Sequence, residues 1–301
     1  MKEIVLITGA NGLIAKELSK RLEKEYTVRF LTRKKQHEND FEWNLKNGTV
    51  DEAAFENISH VIHLAGAGVA ERRWTDERKK EIISSRVDSA QLILKTLQKN
   101  NQKLKSFVSA SGINYYGTET TEKIFTEQDG PGKDFLSEVT ILWEQAADEF
   151  KNQQVSERVV KLRTGVVLSE KEGALKKMLP TIKAGIGSPL GTGKQYMPWI
   201  HIEDICSMYE SALKNPELHG AFNAVAPEHA TNRDLTEKAA HVLKKPLFMP
   251  NVPGFVLKLI FGELSVAVLE GSRASCEKIQ SAGFQFKFPH LQEALTDLLK
   301  N

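Results

Sequence analysis

The stretch Glu3-Ile4-Val5-Leu6-Ile7-Thr8-Gly9-Ala10-Asn11-Gly12-Leu13-Ile14-Ala15 decides the fold of this chain. Its apolar run before Gly9 predicts a buried parallel strand. Apolar residues at three- and four-residue spacing after Gly12 predict an amphipathic helix. Gly9 permits a tight turn, Gly12 lets a phosphate approach the backbone, and Ala15 lets the helix pack close to the sheet. The turn therefore predicts a dinucleotide site.

This prediction depends on the rest of the chain, because glycines after a strand also occur as plain turn residues. The helix that follows the turn would direct unpaired N–H groups and a partial positive charge at a bound phosphate. The residues of the turn that we expect to contact a dinucleotide are Thr8, Gly9, Asn11, Gly12, Leu13 and Ile14.

A second strand is predicted at residues 27–31, and the basic run Thr32-Arg33-Lys34-Lys35 follows it. A site for NAD(H) has an acid at this point, which binds the ribose 2′-hydroxyl. An Arg can instead stack on adenine and pair with a 2′-phosphate. We therefore predict NADP(H), with contacts from Thr32 and Arg33. The alternative is a solvated loop rich in Lys.

Strands and helices alternate through most of the remaining chain, which predicts a doubly wound parallel α/β sheet. The further predicted strands are 41–44, 59–64, 106–111, 158–163, 199–202, 222–225 and a short one at 284–288. The further predicted helices are 79–98, 135–150, 231–243, 256–269 and 291–299.

Composition sets the class of protein. The chain has 301 residues, 41% hydrophobic and 27% charged, as in an ordinary globular protein. Its net charge of +2 provides no bulk electrostatic attraction to nucleic acid or membranes. Cys206 and Cys276 form neither a metal-binding spacing nor a disulfide framework. With a strand predicted at the very start and no long apolar run, we expect a cytoplasmic protein without a metal.

Several motifs resemble those of one family. Thr8-Gly9-x-x-Gly12, His63-Leu64-Ala65-Gly66, Ser109-Ala110-Ser111 and Tyr116-Gly117 are similar to the extended short-chain dehydrogenase/reductases, the NAD-dependent epimerase/dehydratase group. Motifs over nearly the whole chain resemble an atypical branch often labelled "epimerase family protein". These are Arg73-Trp74, Ser85-Arg86, Tyr115-Tyr116-Gly117, Trp143-Glu144, Arg163-Thr164-Gly165-Val166-Val167-Leu168, Trp199-Ile200-His201-Ile202-x-Asp204, Ala226-Pro227 and Gly283-Phe284.

The resemblance implies a catalytic Ser together with a Tyr four residues before a Lys. Ser111 occupies the Ser position, but Leu136 and Thr140 stand where the Tyr and the Lys belong. The usual proton-transfer pair is therefore missing. Tyr116 lies just past Ser111 and is the candidate replacement, provided that its pKa is lowered toward the working pH. The alternative is a packing residue whose hydroxyl is satisfied internally.

Further cofactor contacts are implied by the same resemblance, from Leu64, Ala65, Gly66 and Val167. Arg86 stands where extended members usually carry an Asn. It could bind the cofactor phosphates or a carboxylate substrate, with Glu81 one turn earlier as its partner. The alternative for both residues is an ordinary ion pair on a helix surface.

The glycine-rich segment 185–195 resembles the loop that borders the substrate in extended members. In enzymes for nucleotide sugars that loop supplies an Arg to the substrate phosphates, and Met197 stands at that position here. We expect an NADP(H)-binding Rossmann domain at 1–165 and 195–228. A small substrate-side domain is expected at 166–194 and 229–301, with the ligand crevice between the two.

Two functions remain open from the sequence. The first is an NADP(H)-dependent oxidoreductase or epimerase-like enzyme that acts on a small molecule with a non-standard active site. The second is a catalytically silent NADP(H)-binding sensor or protein-interaction module, because the Tyr and Lys are absent. The resemblance also implies a homodimer through the helices at 79–98 and 135–150.

Overall fold

The computed structural model describes residues 2–300, and a sheet of eight strands lies at its centre. The strands are β1 (Ile4–Thr8), β2 (Thr27–Thr32), β3 (Asp40–Asn44), β4 (Thr49–Val50), β5 (Ile58–His63), β6 (Ser106–Gly112), β7 (Ile124–Phe125), β8 (Val159–Thr164), β9 (Val166–Leu168), β10 (Trp199–His201), β11 (Gly220–Ala224) and β12 (Arg273–Ala274). The helices are α1 (Leu13–Leu22), α2 (Asp76–Lys99), α3 (Phe135–Asn152), α4 (Gly173–Lys183), α5 (Ile202–Lys214), α6 (Asn232–Val242), α7 (Gly254–Phe261), α8 (Val266–Leu269), α9 (Glu277–Ser281) and α10 (Leu291–Lys300).

The order of the strands confirms the predicted doubly wound α/β fold. Along the central sheet the order is β11-β8-β6-β5-β1-β2-β3-β4, and only the β3–β4 pair is antiparallel. The chain adds β2 and β3 on one side of β1 and then continues with β5 on the other side. The order therefore reverses between β1 and β5, where open α/β sheets bind ligands.

Helices cover both faces of this sheet. Helices α1 and α5 pack on one face, with a core that extends from Val5 to Leu298. Helices α2 and α3 pack together on the other face, around Phe107 and Phe150. Because the first core is continuous into the C-terminal helix, it joins the segments that the sequence assigns to two domains. That division stays a prediction.

The pairing of the strands brings the predicted site residues to one edge. Thr8 is opposite Leu31, and His63 is opposite Ser109. Ser111 is opposite Arg163 on the next strand. Since parallel strands end at the same edge of a sheet, the glycine turn and the ends of β2, β5, β6 and β8 are neighbours in space.

Two predictions in the C-terminal region are wrong. The expected helix 256–269 is interrupted at Gly262, whose φ of +61° is outside the helical range. The expected strand 284–288 is a loop. Its backbone N–H groups at Lys287 and Phe288 donate to the Asp204 carboxylate, at 2.8 and 3.0 Å, instead of to another strand. Asp204 therefore ties the start of α5 to this loop.

After β8 the chain leaves the central sheet at Gly165 and forms the small parallel sheet of β9 and β10. Gly165 donates its N–H to Ala224 O at 3.1 Å, and Val166 donates to Pro198 O at 2.6 Å. Helix α4, which the sequence analysis did not predict, follows β9. Across residues 2–300, no helix is both long and apolar enough to cross a lipid bilayer.

We predict that Gly165→Ala lowers the free energy of unfolding by about 2–3 kcal/mol, because a Cβ at this position would overlap the carbonyl oxygen of Pro198. Urea unfolding monitored by circular dichroism measures the change. Gly130→Ala is the matched control, since nothing lies within 4 Å of a Cβ there. Equal losses in the two variants would contradict the steric explanation.

Candidate functional site

The glycine turn has the geometry of an open anion cradle. Gly9 has a φ of +73°, and a Cβ there would lie 2.9 Å from Leu64 O. Only glycine fits such a position without strain. Gly12 donates its N–H to Gly9 O at 2.8 Å and precedes α1 without a side-chain cap. The first N–H groups of α1 are therefore available to a ligand.

Side chains around the turn differ in their access to the crevice. Asn11 is exposed, and Leu13 and Ile14 are partly exposed. Thr8 is fully buried, and its Oγ1 accepts hydrogen bonds from the N–H groups of Leu64 (3.0 Å) and Ala65 (2.9 Å). Thr8 therefore fixes the ends of β1 and β5 relative to each other, and a direct contact to a ligand is not available to it.

The end of β2 presents an arginine without a partner. The exposed Arg33 has no ion pair or hydrogen bond among the described residues. Thr32 is buried, and its hydroxyl donates to Lys34 O at 3.1 Å, so it shapes the turn. Glu42 on β3 accepts from the Lys35 N–H at 2.9 Å. Sequence spacing does not reveal this contact, because only the pairing of β2 with β3 brings Glu42 near Lys35.

Arg86 is a buried cation behind the β5 end. Its Nη1 donates to Ala67 O (3.0 Å) and Ile82 O (2.8 Å), and its guanidinium lies 4.7 Å from the centre of the Trp143 ring. Its Nε is buried without a hydrogen-bond partner. A Cβ on the exposed Gly66 would lie 2.9 Å from its Cζ. Burial lowers the pKa of Arg86 to about 10, so the group stays cationic at neutral pH.

The expected pair between Glu81 and Arg86 is wrong. Glu81 accepts instead from Arg72 (2.5 Å) and Arg78 (2.7 Å). Arg78 is buried and also donates to Glu71, at 2.7 Å. The segment 67–75 folds back over the first turn of α2 and brings Glu71 and Arg72 to Glu81, which sequence spacing along one helix does not reveal. No carboxylate within ion-pair distance compensates Arg86 in residues 2–300.

Ser111 belongs to a buried network. Its hydroxyl donates to Glu144 Oε1 at 2.8 Å. Arg163 donates to both Glu144 oxygens, at 2.7 and 2.9 Å, and to the Tyr116 hydroxyl at 2.9 Å. Burial would lower the pKa of Arg163, but its hydrogen bonds and ion pair with Glu144 outweigh that effect and raise the pKa. The network joins β6, α3 and β8.

Tyr116 donates its hydroxyl to Asn223 Oδ1 at 2.8 Å. Burial raises the pKa of Tyr116 to about 12, although the cationic Arg163 beside it acts in the opposite direction. A phenol serves as a general acid when its pKa is near the working pH. The occupied hydroxyl and the raised pKa of Tyr116 therefore favour the packing role over that of a general acid.

Leu136 and Thr140, the two positions that the resemblance matches to the family's Tyr and Lys, are buried as well. Leu136 packs at the start of α3, and the Thr140 hydroxyl donates to Leu136 O (3.0 Å) and Ser137 O (2.9 Å). Neither side chain offers a proton to a ligand. Val167 on β9 is partly exposed. Within residues 2–300, no group of three His, Cys, Asp or Glu side chains could hold a metal.

A family model described as "NAD dependent epimerase/dehydratase family" matches residues 5–225. The chain belongs to this family. A second model, described as "Domain of unknown function (DUF1731)", matches residues 252–298. The first match covers the glycine turn and the strands on both sides of the switch point. The second match begins just before α7.

Family relatives similar to this chain carry the name "epimerase family protein". SDR39U1 from Homo sapiens is 31% identical over 298 residues, which cover 98% of this chain and 99% of that protein. YfhF from Bacillus subtilis is 32% identical over 302 residues, covering 98% and 97%. A crystal structure of human SDR39U1 (isoform 2) with NADPH matches with a TM-score of 0.88, 30% identity and 99% coverage of both chains.

This member of the family should depend on the Glu144–Arg163 pair for stability. We predict that Glu144→Gln lowers the free energy of unfolding by about 3 kcal/mol, because it leaves the buried charge of Arg163 uncompensated. The same change at the exposed Glu138 of α3 is the control, with an expected loss below about 0.5 kcal/mol. Chemical denaturation measures both, and an equally small loss at Glu144 would contradict the prediction.

Proposed function

We propose that this chain binds NADP(H) and acts as an oxidoreductase or epimerase-like protein on a small molecule, without the usual Tyr-Lys pair. One observation carries the proposal: the uncapped start of α1 and the partnerless Arg33 lie at the ends of the adjacent strands β1 and β2. The first suits a pyrophosphate and the second a 2′-phosphate. The human relative, which was crystallised with NADPH, supports this assignment.

Arg86 supports the same cofactor. A buried guanidinium without a carboxylate partner is costly unless an anion compensates it. Its neighbour Gly66 is exposed and has no side chain between the guanidinium and the crevice. We assign Arg86 to the cofactor phosphates or to a carboxylate of the substrate. The walls of the cofactor site would be completed by Asn11, Leu13, Ile14, Leu64, Ala65 and Val167. Glu81 would contribute indirectly, by holding Arg72 and Arg78 in place.

The small molecule would bind between the Rossmann segments and the segments 166–194 and 229–301. The absence of an Arg at Met197 argues against a nucleotide sugar. Met197 accepts a contact from Asn232 Nδ2 through its sulfur, at 3.3 Å, and its N–H donates to Ala230 O. Met197, in the Rossmann segment 195–228, is thus packed against the small-domain segment 229–301. A homodimer through α2 and α3 stays a prediction.

The cofactor assignment is tested by isothermal titration calorimetry with NADPH and NADH. We predict that the parent binds NADPH more tightly than NADH. In Arg33→Glu the ratio of the NADPH affinity to the NADH affinity should fall roughly tenfold or more, because the new carboxylate repels the 2′-phosphate. Lys46→Glu is the control for charge, since Lys46 is exposed and lies beyond β3. Unchanged NADPH affinity in Arg33→Glu, or no binding of either cofactor, would contradict the proposal.

A silent NADP(H)-binding sensor is the second candidate, and the occupied hydroxyls of Ser111 and Tyr116 favour it. Turnover separates the two candidates. If the chain is an enzyme, we expect it to oxidise NADPH with at least one of a panel of carbonyl compounds. The rate should stay within about threefold of the parent's in Ser111→Ala and in Tyr116→Phe, because both hydroxyls are bonded to protein partners. A general acid contributes roughly 100-fold or more, so its loss would be obvious.

The possible results of this assay differ clearly. A fall of about 100-fold in both variants, with unchanged NADPH affinity and melting temperature, would return Ser111 and Tyr116 to catalytic roles. Tight NADPH binding without turnover across the panel would favour the sensor.

A further inference from the structure

Large apolar side chains are exposed on one region of the C-terminal half. Among the described residues, seven large apolar side chains are exposed, and six of them lie in the segment 248–260 or in the loop beside it. These six are Ile186, Phe248, Met249, Phe255, Leu259 and Ile260, and we call them the apolar surface. A group of this kind on a folded chain commonly marks an interaction site.

The two chain segments of this surface are bonded to each other. Val252 donates its N–H to Pro189 O at 2.9 Å, and Ser188 Oγ donates to Pro250 O. A Cβ on Gly187 would lie 3.2 Å from Leu247. The loop that carries Ile186 therefore runs along the segment that carries Phe248 and Met249, and α7 follows directly.

Helix α7 presents its apolar side chains outward. Phe255 is 73% exposed and Leu259, one turn later, is 76% exposed, whereas Leu257 is buried and attaches the helix to the protein. Lys258 is exposed beside them. Arg73 donates Nε to Ile260 O at 2.8 Å and also donates to Leu259 O, so it holds the end of this helix in place. The helix is fixed with its apolar face toward solvent.

Lysines dominate the charge of the segments that carry this surface, although the exposed Glu263, which pairs with Lys79, directly follows α7. Residues 173–200 and 238–262 contain eight lysines and neither Asp nor Glu, although the whole chain has a net charge of only +2. The remaining segments therefore carry a net charge of −6. Lys183, Lys244, Lys245 and Lys258 are exposed and form no ion pair with any described residue. The expectation from bulk net charge misses this asymmetry.

We propose that the apolar surface and its four lysines dock on an anionic lipid bilayer. Exposed Phe and Leu side chains beside unpaired lysines are the pattern of surfaces that lie in the interface of a membrane. A second copy of the chain fits less well, because a two-fold contact would bring the unpaired lysines of both copies together, whereas Glu263, the acid that follows α7, is already paired with Lys79. This proposal does not rest on the NADP(H) assignment.

Sedimentation of the full chain with lipid vesicles tests the proposal. The vesicles contain phosphatidylcholine alone or mixed with phosphatidylglycerol. We expect binding to the mixed vesicles that weakens as salt is added, and roughly tenfold less binding in Phe255→Ser/Leu259→Ser and in Lys244→Glu/Lys245→Glu. The matched control Lys46→Glu/Lys103→Glu changes the net charge equally, at exposed residues far along the chain, and should bind as the parent does.

Unchanged melting temperature and NADPH affinity in the variants would show that folding and the cofactor site are intact. Absence of binding to the mixed vesicles, or an equal loss in the control, would overturn the proposal. The proposal would also be overturned if the parent binds no vesicle and is dimeric by sedimentation velocity, while Phe255→Ser/Leu259→Ser is monomeric. The apolar surface would then be a dimer interface.

Discussion

The buried ion pair between Glu144 and Arg163 is the constraint on which the candidate site depends. It joins α3 to β8, and through Ser111 and Tyr116 it reaches β6 and the segment before α3. Asn223 extends the same network to Ser275, because its Nδ2 donates to Ser275 O at 2.9 Å. Every hydroxyl in this chain of contacts has a protein partner. The network therefore holds β6, α3 and β8 together.

The two residues that the resemblance matches to the family's Tyr and Lys offer little to a ligand. Leu136 and Thr140 bring apolar surface and a self-satisfied hydroxyl to the place where two polar groups would face the ligand. The positive elements of the proposed cofactor site are the start of α1, Arg33 and Arg86. Under the proposed function, binding and proton transfer would therefore depend on separate parts of the site, and one could persist without the other.

The sequence predicted most of the fold, because the apolar periods of strands and helices are local signals. It also located the glycine turn and the basic end of β2. It failed where the outcome depends on distant partners. Glu81 pairs with Arg72 and Arg78 because the segment 67–75 folds back, and residues 284–288 are held by the Asp204 carboxylate instead of by a strand. Neither partner is visible in local spacing.

The segment 67–75 touches both halves of the molecule. Its Arg73 donates a hydrogen bond to the end of α7, and its Ala70 O accepts one from Lys177 of α4. At its start, Ala67 O accepts a hydrogen bond from the Arg86 guanidinium. A segment with contacts to both regions couples two binding events only where a ligand moves it. If a ligand at the crevice shifts this segment, whatever occupies α7 changes that ligand's affinity, and the coupling factor is identical in the reverse direction.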